Sequence, residues 1–313
     1  MTRTLTACMA AACLLSSCQD PSAPSATQAS KLAQSSFPSP EVFASQHPAF
    51  ERYWYQGKAE LTRYALRQSR YGDVHDGEGV LIFVTEDFLP KLQVKREVTE
   101  APDAISVLKL NAYRRFYTGI YPYTIMTSSF TPAIGAPTLK LSNTVQEWCG
   151  QVYSQVNRRS DGLHALSHSY FEREADQKRL LPDAALEDGL WAQLRIDPGA
   201  VLEGKQDLVP ALDYVRMRHK ALRPYPAVVT RRSAVETDLV DHPVEALDVD
   251  YPPLGRKLVI YFESDFPHVI QAWEETEGPF RTTATRTNAI LDAYWEHNSA
   301  DDDRYRDALG LRH

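Results

Sequence analysis

The sequence predicts a mainly β fold of the α+β kind, a large curved antiparallel sheet or incomplete barrel with a few short helices. From Trp54 onward, long segments rich in Val, Ile, Thr and aromatic residues follow one another, bounded by Gly, Pro or Asp-Gly. Between most of them there is no stretch long and periodic enough to be the helical crossover that parallel strands require. The chain has 313 residues, of which 43% are hydrophobic and 24% charged, a balance that supports a real core and excludes a collagen-like, coiled-coil or wholly disordered protein.

Taken in order, residues 58 to 86 read as a hairpin in which Gly79-Val80-Leu81-Ile82-Phe83-Val84-Thr85 is a buried strand. Residues 106 to 130 read as a second hairpin turning at Thr118-Gly119. Residues 145 to 159 read as one strand with Trp148, Val152 and Val156 on its buried side and Glu147, Gln151, Gln155 and Asn157 on its wet side. On that strand Cys149 reads as a small buried hydrophobe. Asp161-Gly162 supplies a turn with access to positive φ, and residues 163 to 174 return as its partner strand. Residues 183 to 195 place Leu186, Leu190 and Leu194 on one helical face, closed by Pro198-Gly199. Further hairpins are expected in 212 to 232 and 256 to 290, and a short helix over 301 to 311, whose three acids sit at the positive end of its dipole. Residues 46–313 form one β-rich domain in this reading.

Ahead of that domain, Arg3, an apolar run from Ala7 to Leu15, then Leu15-Ser16-Ser17-Cys18 form a secretory signal too short to span a bilayer. Residues 1–17 are therefore read as a lipoprotein signal peptide, Cys18 as the lipidated residue, and 18–45 as the lipidated Cys with its tether. Six Ser, four Pro and four Ala among residues 19 to 40 fit the tether. Gln19, where inner-membrane retention signals carry Asp, points to the outer membrane. The whole chain has a formal net charge of −7. Nucleic acid is accordingly not an expected partner, and the expected membrane contact of the acidic body is the lipid anchor alone.

Chemistry leaves few local traces. Gly199 to Lys205 matches a phosphate loop up to its Lys, but Gln206 replaces the hydroxyl that would hold magnesium. On a strand, His164 and His168 stand about 13 Å apart, too far to share a metal. Neither a metal nor a cofactor is expected. No nucleophile elbow, H-E-x-x-H or S-x-x-K set occurs. His168, with Glu172 or Asp176 as its orienting carboxylate, is the candidate base of a hydrolase site assembled from distant residues. The densest aromatic stretch, Tyr113 to Met126, offers Tyr113, Phe116, Tyr117, Tyr121 and Tyr123 as ligand-binding candidates, the alternative use of such residues being to fill a core.

The lipoprotein start, the segments at 54–88 and 107–130, VQEWCGQVYSQVNRR and SHSYFEREADQ, all in order, make the chain resemble a family of large lipoproteins of Bacteroidetes-type bacteria. The resemblance spans nearly the whole domain from Tyr53 and implies an envelope location, with no catalytic residues to carry over. Some members bear the label septum formation inhibitor Maf, which would imply nucleotide pyrophosphate hydrolysis. Maf proteins proper are cytoplasmic α/β enzymes with a Ser- and Arg-rich loop close to the N-terminus, where this chain has a lipoprotein-type signal. The function expected from the residues is binding of an apolar or envelope-derived ligand, or scaffolding of envelope assembly, with the hydrolase as the alternative.

Overall fold

A computed structural model describes residues 48–98 and 102–311. The signal, Cys18 and the tether lie outside the described residues. Among the described residues a short helix, α1 (Pro48–Trp54), leads into sixteen strands. The first nine are β1 (Ala59–Arg70), β2 (Asp73–Leu89), β3 (Val94–Lys95), β4 (Ile105–Thr118), β5 (Tyr121–Pro132), β6 (Lys140–Glu147), β7 (Gly150–Arg159), β8 (Gly162–Ser169) and β9 (Gln177–Leu181). After β10 (Ala185–Leu186) come helix α2 (Glu187–Ile196), β11 (Gly204–Val209) and helix α3 (Leu212–Met217). The chain finishes with β12 (Tyr225–Thr237), β13 (Val240–Tyr251), β14 (Arg256–Phe262), β15 (Ile270–Glu277), β16 (Phe280–Asp292) and helix α4 (Arg304–Ala308).

All sixteen strands belong to one sheet, which is not closed into a barrel. Its path runs β10 to β16, then β1, β2 and β4 to β9, with β3 paired to β2 off the path. Every pairing is antiparallel except β10 with β11. The last strand therefore zips onto the first, Ala59 opposite Asp292, while the two free edges, β9 and β10, are consecutive in sequence.

Alternation sets the two faces. Along β1, Glu60, Thr62, Tyr64, Leu66 and Gln68 turn inward and are buried, whereas Arg63 and Arg67 turn outward. The concave side is filled rather than hollow. Helix α2 lies against β4 and β5 with nine of its ten residues buried, and Trp191 meets Trp273 edge to face at 5.3 Å between ring centroids. Trp273 in turn packs on Tyr64 at 4.7 Å.

Both ends of α2 are fixed by buried ion pairs. Arg195 forks onto Glu60 of β1 with two bonds of 2.6 Å and donates to the Pro267 carbonyl at 2.7 Å. Burial opposes ionisation of the Glu60 carboxyl, but the Arg195 guanidinium outweighs it and holds the carboxyl below its ordinary range. At the other end Glu187 takes two bonds, 2.6 and 2.7 Å, from Arg256 of β14, which also reaches Glu275 at 2.9 Å. Acids in the first turn and Arg195 in the last also match the helix dipole.

The expected sheet and the hairpins at 58 to 86, 106 to 130 and Asp161-Gly162 are present. Two details differ. Residues 145 to 159 are not one strand: the chain reverses at Trp148-Cys149, so that Trp148 is 68% exposed, Cys149 is exposed and Glu147 is the buried residue. Burial of Glu147 is tolerable because Arg216 of α3 donates to it at 3.2 Å. The expected hairpin at 212 to 232 is instead α3 followed by β12, because Leu212 and Met217 are each buried in an apolar cluster, that of Met217 shared with α2.

Gly189 of α2 is obligatory on packing grounds, since a Cβ there would lie 2.0 Å from Thr138 Oγ1. Gly189→Ala is expected to destabilise the protein by about 1–3 kcal/mol in urea unfolding, the range for overpacking a filled core. Arg195→Met is expected to cost about 3–5 kcal/mol because it strands a buried carboxylate, and Glu60→Leu added to it should restore part of that loss in the same assay.

Candidate ligand-binding groove

Inside the sheet lies a cavity of ≈ 20 Å³, wide enough for one water, lined in part by Trp191, Trp273, Ser129, Asp188, Asp213 and Arg114. Arg114 points inward here and holds Asp213 at 3.0 Å. Asp188 accepts the Leu212 backbone N–H at 2.9 Å, capping the start of α3. Burial, then repulsion by Asp213, pushes the Asp188 carboxyl up to about 8, with Glu187 adding to the shift and Arg114 opposing it. Such a cavity holds no apolar ligand.

The larger space is on the convex face. Outward rows of β1, β2 and β4 lie side by side, because Ala65 pairs with Glu78, Glu78 with Arg115, and Arg67 with Asp76. Together with Arg63, Leu66, Gly77 and Tyr117 they line a groove of ≈ 530 Å³. That is the volume class of small-molecule sites. Arg67 is matched by Asp76 at 3.1 Å, and Arg63 lies 3.9 Å from Glu78. Arg115 is different. It donates to the Tyr117 hydroxyl at 2.5 Å and lies 5.4 Å from that ring's centroid, and among the described residues it pairs with no carboxylate. The groove thus offers Ala65 and a tyrosine face beside a cation not neutralised by an acid.

Of the aromatic candidates, Tyr117 lines this groove. Tyr113 is half-buried on the same outer face one row away, opposite Val80. Phe116 and Tyr123 are core residues and not ligand contacts, fully buried and stacked at 4.8 Å with 2° between their planes. Tyr121 is half-buried at the sheet's end, stacked with Trp148 at 6.2 Å. Alternation explains the split: residues 116 and 117 of one strand face opposite sides.

His168 also faces outward, its Nδ1 3.2 Å from Asp176, and both side chains are more than half exposed. Among the described residues its ring has no other hydrogen-bond partner, and Glu172 is exposed on the adjoining turn. Among the described residues no hydroxyl or thiol is bonded to His168. The Cys149 thiol is held above its ordinary range by its hydrogen bond to Glu147, which disfavours the nucleophilic thiolate. His164 pairs with Asp161 at 2.8 Å, and among the described residues no group of three or more His, Cys, Asp or Glu is placed to hold a metal.

Sequence reading missed the groove because its lining comes from three strands about 50 positions apart at most. What it contained was the outward row itself, Tyr113, Arg115 and Tyr117 at every second residue.

No family model matches the chain, and no curated protein matches it. Among solved structures it is similar to a β-barrel-like protein of domain of unknown function DUF1849 from Brucella abortus, with 10% identity and a TM-score of 0.46, covering 75% of this chain and 98% of that one.

The raised Asp188 carboxyl has a definite pH signature. A buried acid that stays neutral when folded and ionises when unfolded stabilises the fold fully below its ordinary value near 3.8, and this contribution is lost as pH rises through about 8. The contribution of Asp188 should therefore fall between about pH 4 and pH 8. Asp188→Asn keeps an acceptor for the Leu212 N–H and should flatten that fall, read as urea midpoints at the two pH values.

Proposed function

We propose that the protein is a lipid-anchored envelope lipoprotein whose body binds an amphipathic, envelope-derived ligand in the outer groove. The observation that carries this reading is Arg115, a guanidinium without a carboxylate partner among the described residues, beside the exposed Tyr117 ring at the edge of a ≈ 530 Å³ groove. An anionic group on the ligand would take the place that Asp76 and Glu78 hold for the neighbouring arginines. Its apolar portion would lie along Ala65 and the tyrosine face. The filled interior supports surface capture over enclosure. Cys18 and the apolar segment before it support the anchor, and Gln19 the outer membrane, in the manner of the lipoprotein family that the chain resembles.

Native mass spectrometry of residues 19–313, produced without the lipidated Cys and incubated with a detergent extract of the envelope, tests the reading. A reproducible added mass of lipid or glycan size is expected, reduced at least about fivefold in the variant carrying Arg115→Ser and Tyr117→Ser, since the anion's partner and the ring are both removed. A bare mass for the parent protein, or an adduct indifferent to that variant, would remove the groove from consideration.

A further inference from the structure

Between α2, α3 and the sheet, the interior carries more acid than base. Glu187 and Asp188 of α2 and Asp213 of α3 are buried there, and Glu275 of β15 is half-buried beside them. Two guanidiniums face these carboxyls. Arg256 of β14 serves Glu187 and Glu275, and Arg114 of β4 serves Asp213 at 3.0 Å. The other charged groups packed around the cluster are occupied with one another: Glu277 of β15 with Arg218 and Lys220, and Arg216 of α3 with Glu147 of β6. Tyr214 of α3 donates to Glu277, β13 adds the phenol of Tyr251, and β5 adds the hydroxyls of Thr127 and Ser129. Among the described residues, then, no ion pair reaches Asp188. Its bond is to the Leu212 N–H, and it lines the one-water cavity that Asp213 and Arg114 also line.

With all four carboxyls ionised, two negative charges would stand in the interior without a cation. A proton on Asp188 removes one of them and ends its repulsion with Asp213. The two helices differ in how they can respond when that proton leaves. Helix α2 is tied at both ends by two-bond ion pairs to β1 and β14. Helix α3 has six residues and runs into a segment whose His219 and Ala221 are exposed. Its displacement is the smaller change.

We propose that this interior is a proton-dependent latch: a proton on Asp188 keeps α3 seated against α2, and loss of that proton lets α3 lift and admits water beside Trp191 and Trp273. Lifting would reach the end of the body, because α3 carries the Arg216 that pairs with Glu147 and the Met217 carbonyl that accepts from Arg70. The direction follows from burial. Burial, then Asp213, raises the seated Asp188 carboxyl to about 8, whereas water lowers it toward its ordinary value once α3 has lifted. Lifting therefore increases with pH up to about 8 and levels off above it. The latch does not depend on the outer groove holding a ligand.

Hydrogen exchange of the full chain carrying Cys18→Ser, read by peptide as protection factors at about pH 5.5 and about pH 8, tests the latch. Protection of residues 212–217 should fall at least about tenfold between the two. At the higher pH it should also respond little to dilute urea, since lifting one short helix exposes little surface, while protection of β13 and β14 falls with urea. Asp188→Asn keeps an acceptor for Leu212 and cannot ionise, so the fall at α3 should vanish. Asp213→Asn removes the repelling charge and leaves Arg114 to serve Asp188, so it should shrink the fall, and it decides the matter if Asp188→Asn does not fold. Unchanged α3 protection in the parent, or a full fall surviving in both variants, would overturn the proposal. So would α3 matching β13 and β14 in protection and urea response at about pH 8, because the opening would then be unfolding of the whole body.

Discussion

A charged helix inside a β-sheet is the constraint around which this protein is arranged. Helix α2 brings Glu187, Asp188 and Arg195 into the interior, and each finds its counter-group or donor on a different element: Arg256 on β14, the Leu212 amide of α3 and Glu60 on β1. An ion pair of this kind is not a large net source of stability, because desolvation cancels much of the attraction. Its effect is positional. With α2 supplying the two-bond partners of both Glu60 and Arg256, the start of β1 and the start of β14 are tied to one helix across the concavity. The two free edges, β9 and β10, follow one another in the chain and need only a short connection, with α2 emerging directly from β10.

Filling the concavity has a functional consequence. A barrel-like sheet with an empty interior would bind its ligand inside, as the aromatic stretch at first suggests. Here Trp191, Trp273, Tyr64 and the stacked Phe116 and Tyr123 occupy that space and leave room for about one water. The convex face and the strand ends are then the surfaces left open to a ligand, where side chains are free of packing duties. The outward row of β4 shows the transition: Tyr113 is half covered, Arg115 has no acid partner among the described residues, and Tyr117 is exposed.

The sheet was legible because strands on a half-buried sheet must alternate, and that alternation is local. The hairpin at Asp161-Gly162 and the helix containing Leu190 and Leu194 could be read for the same reason. Residues 145 to 159 misled because Trp148 continues the apolar rhythm of Val152 and Val156 across a turn that carries no glycine at its first position, only Cys149 and then Gly150. The partner of Glu147 could not be anticipated, since Arg216 is 69 residues away and meets it only when α3 seats against β6. The candidate aromatic residues were identified as a stretch, but dividing them between core and surface needs the phase of the strand. A one-residue error in phase exchanges the two sets.

Charge is distributed along the same axis. The body begins at α1, where Trp54 packs on Phe83 beside the start of β1, at the end opposite Tyr71, Ile120, Trp148 and Tyr170. Fourteen residues of β4 make the body about 46 Å long between these ends at ~3.3 Å per residue. Thirty residues from Cys18 to His47 reach at most about 100 Å. An anchor at Cys18 is therefore compatible with either end of the body meeting the membrane, and the choice falls to the surfaces themselves. Net acidity argues against adhesion by the body as a whole, yet within a Debye length of about 10 Å a bilayer senses only the groups nearest to it. At the rim Arg218 and Lys220 are both paired with Glu277, at 2.8 and 3.6 Å, and Arg173 stands beside Glu172, so the acidity of the whole is not reversed locally at that end.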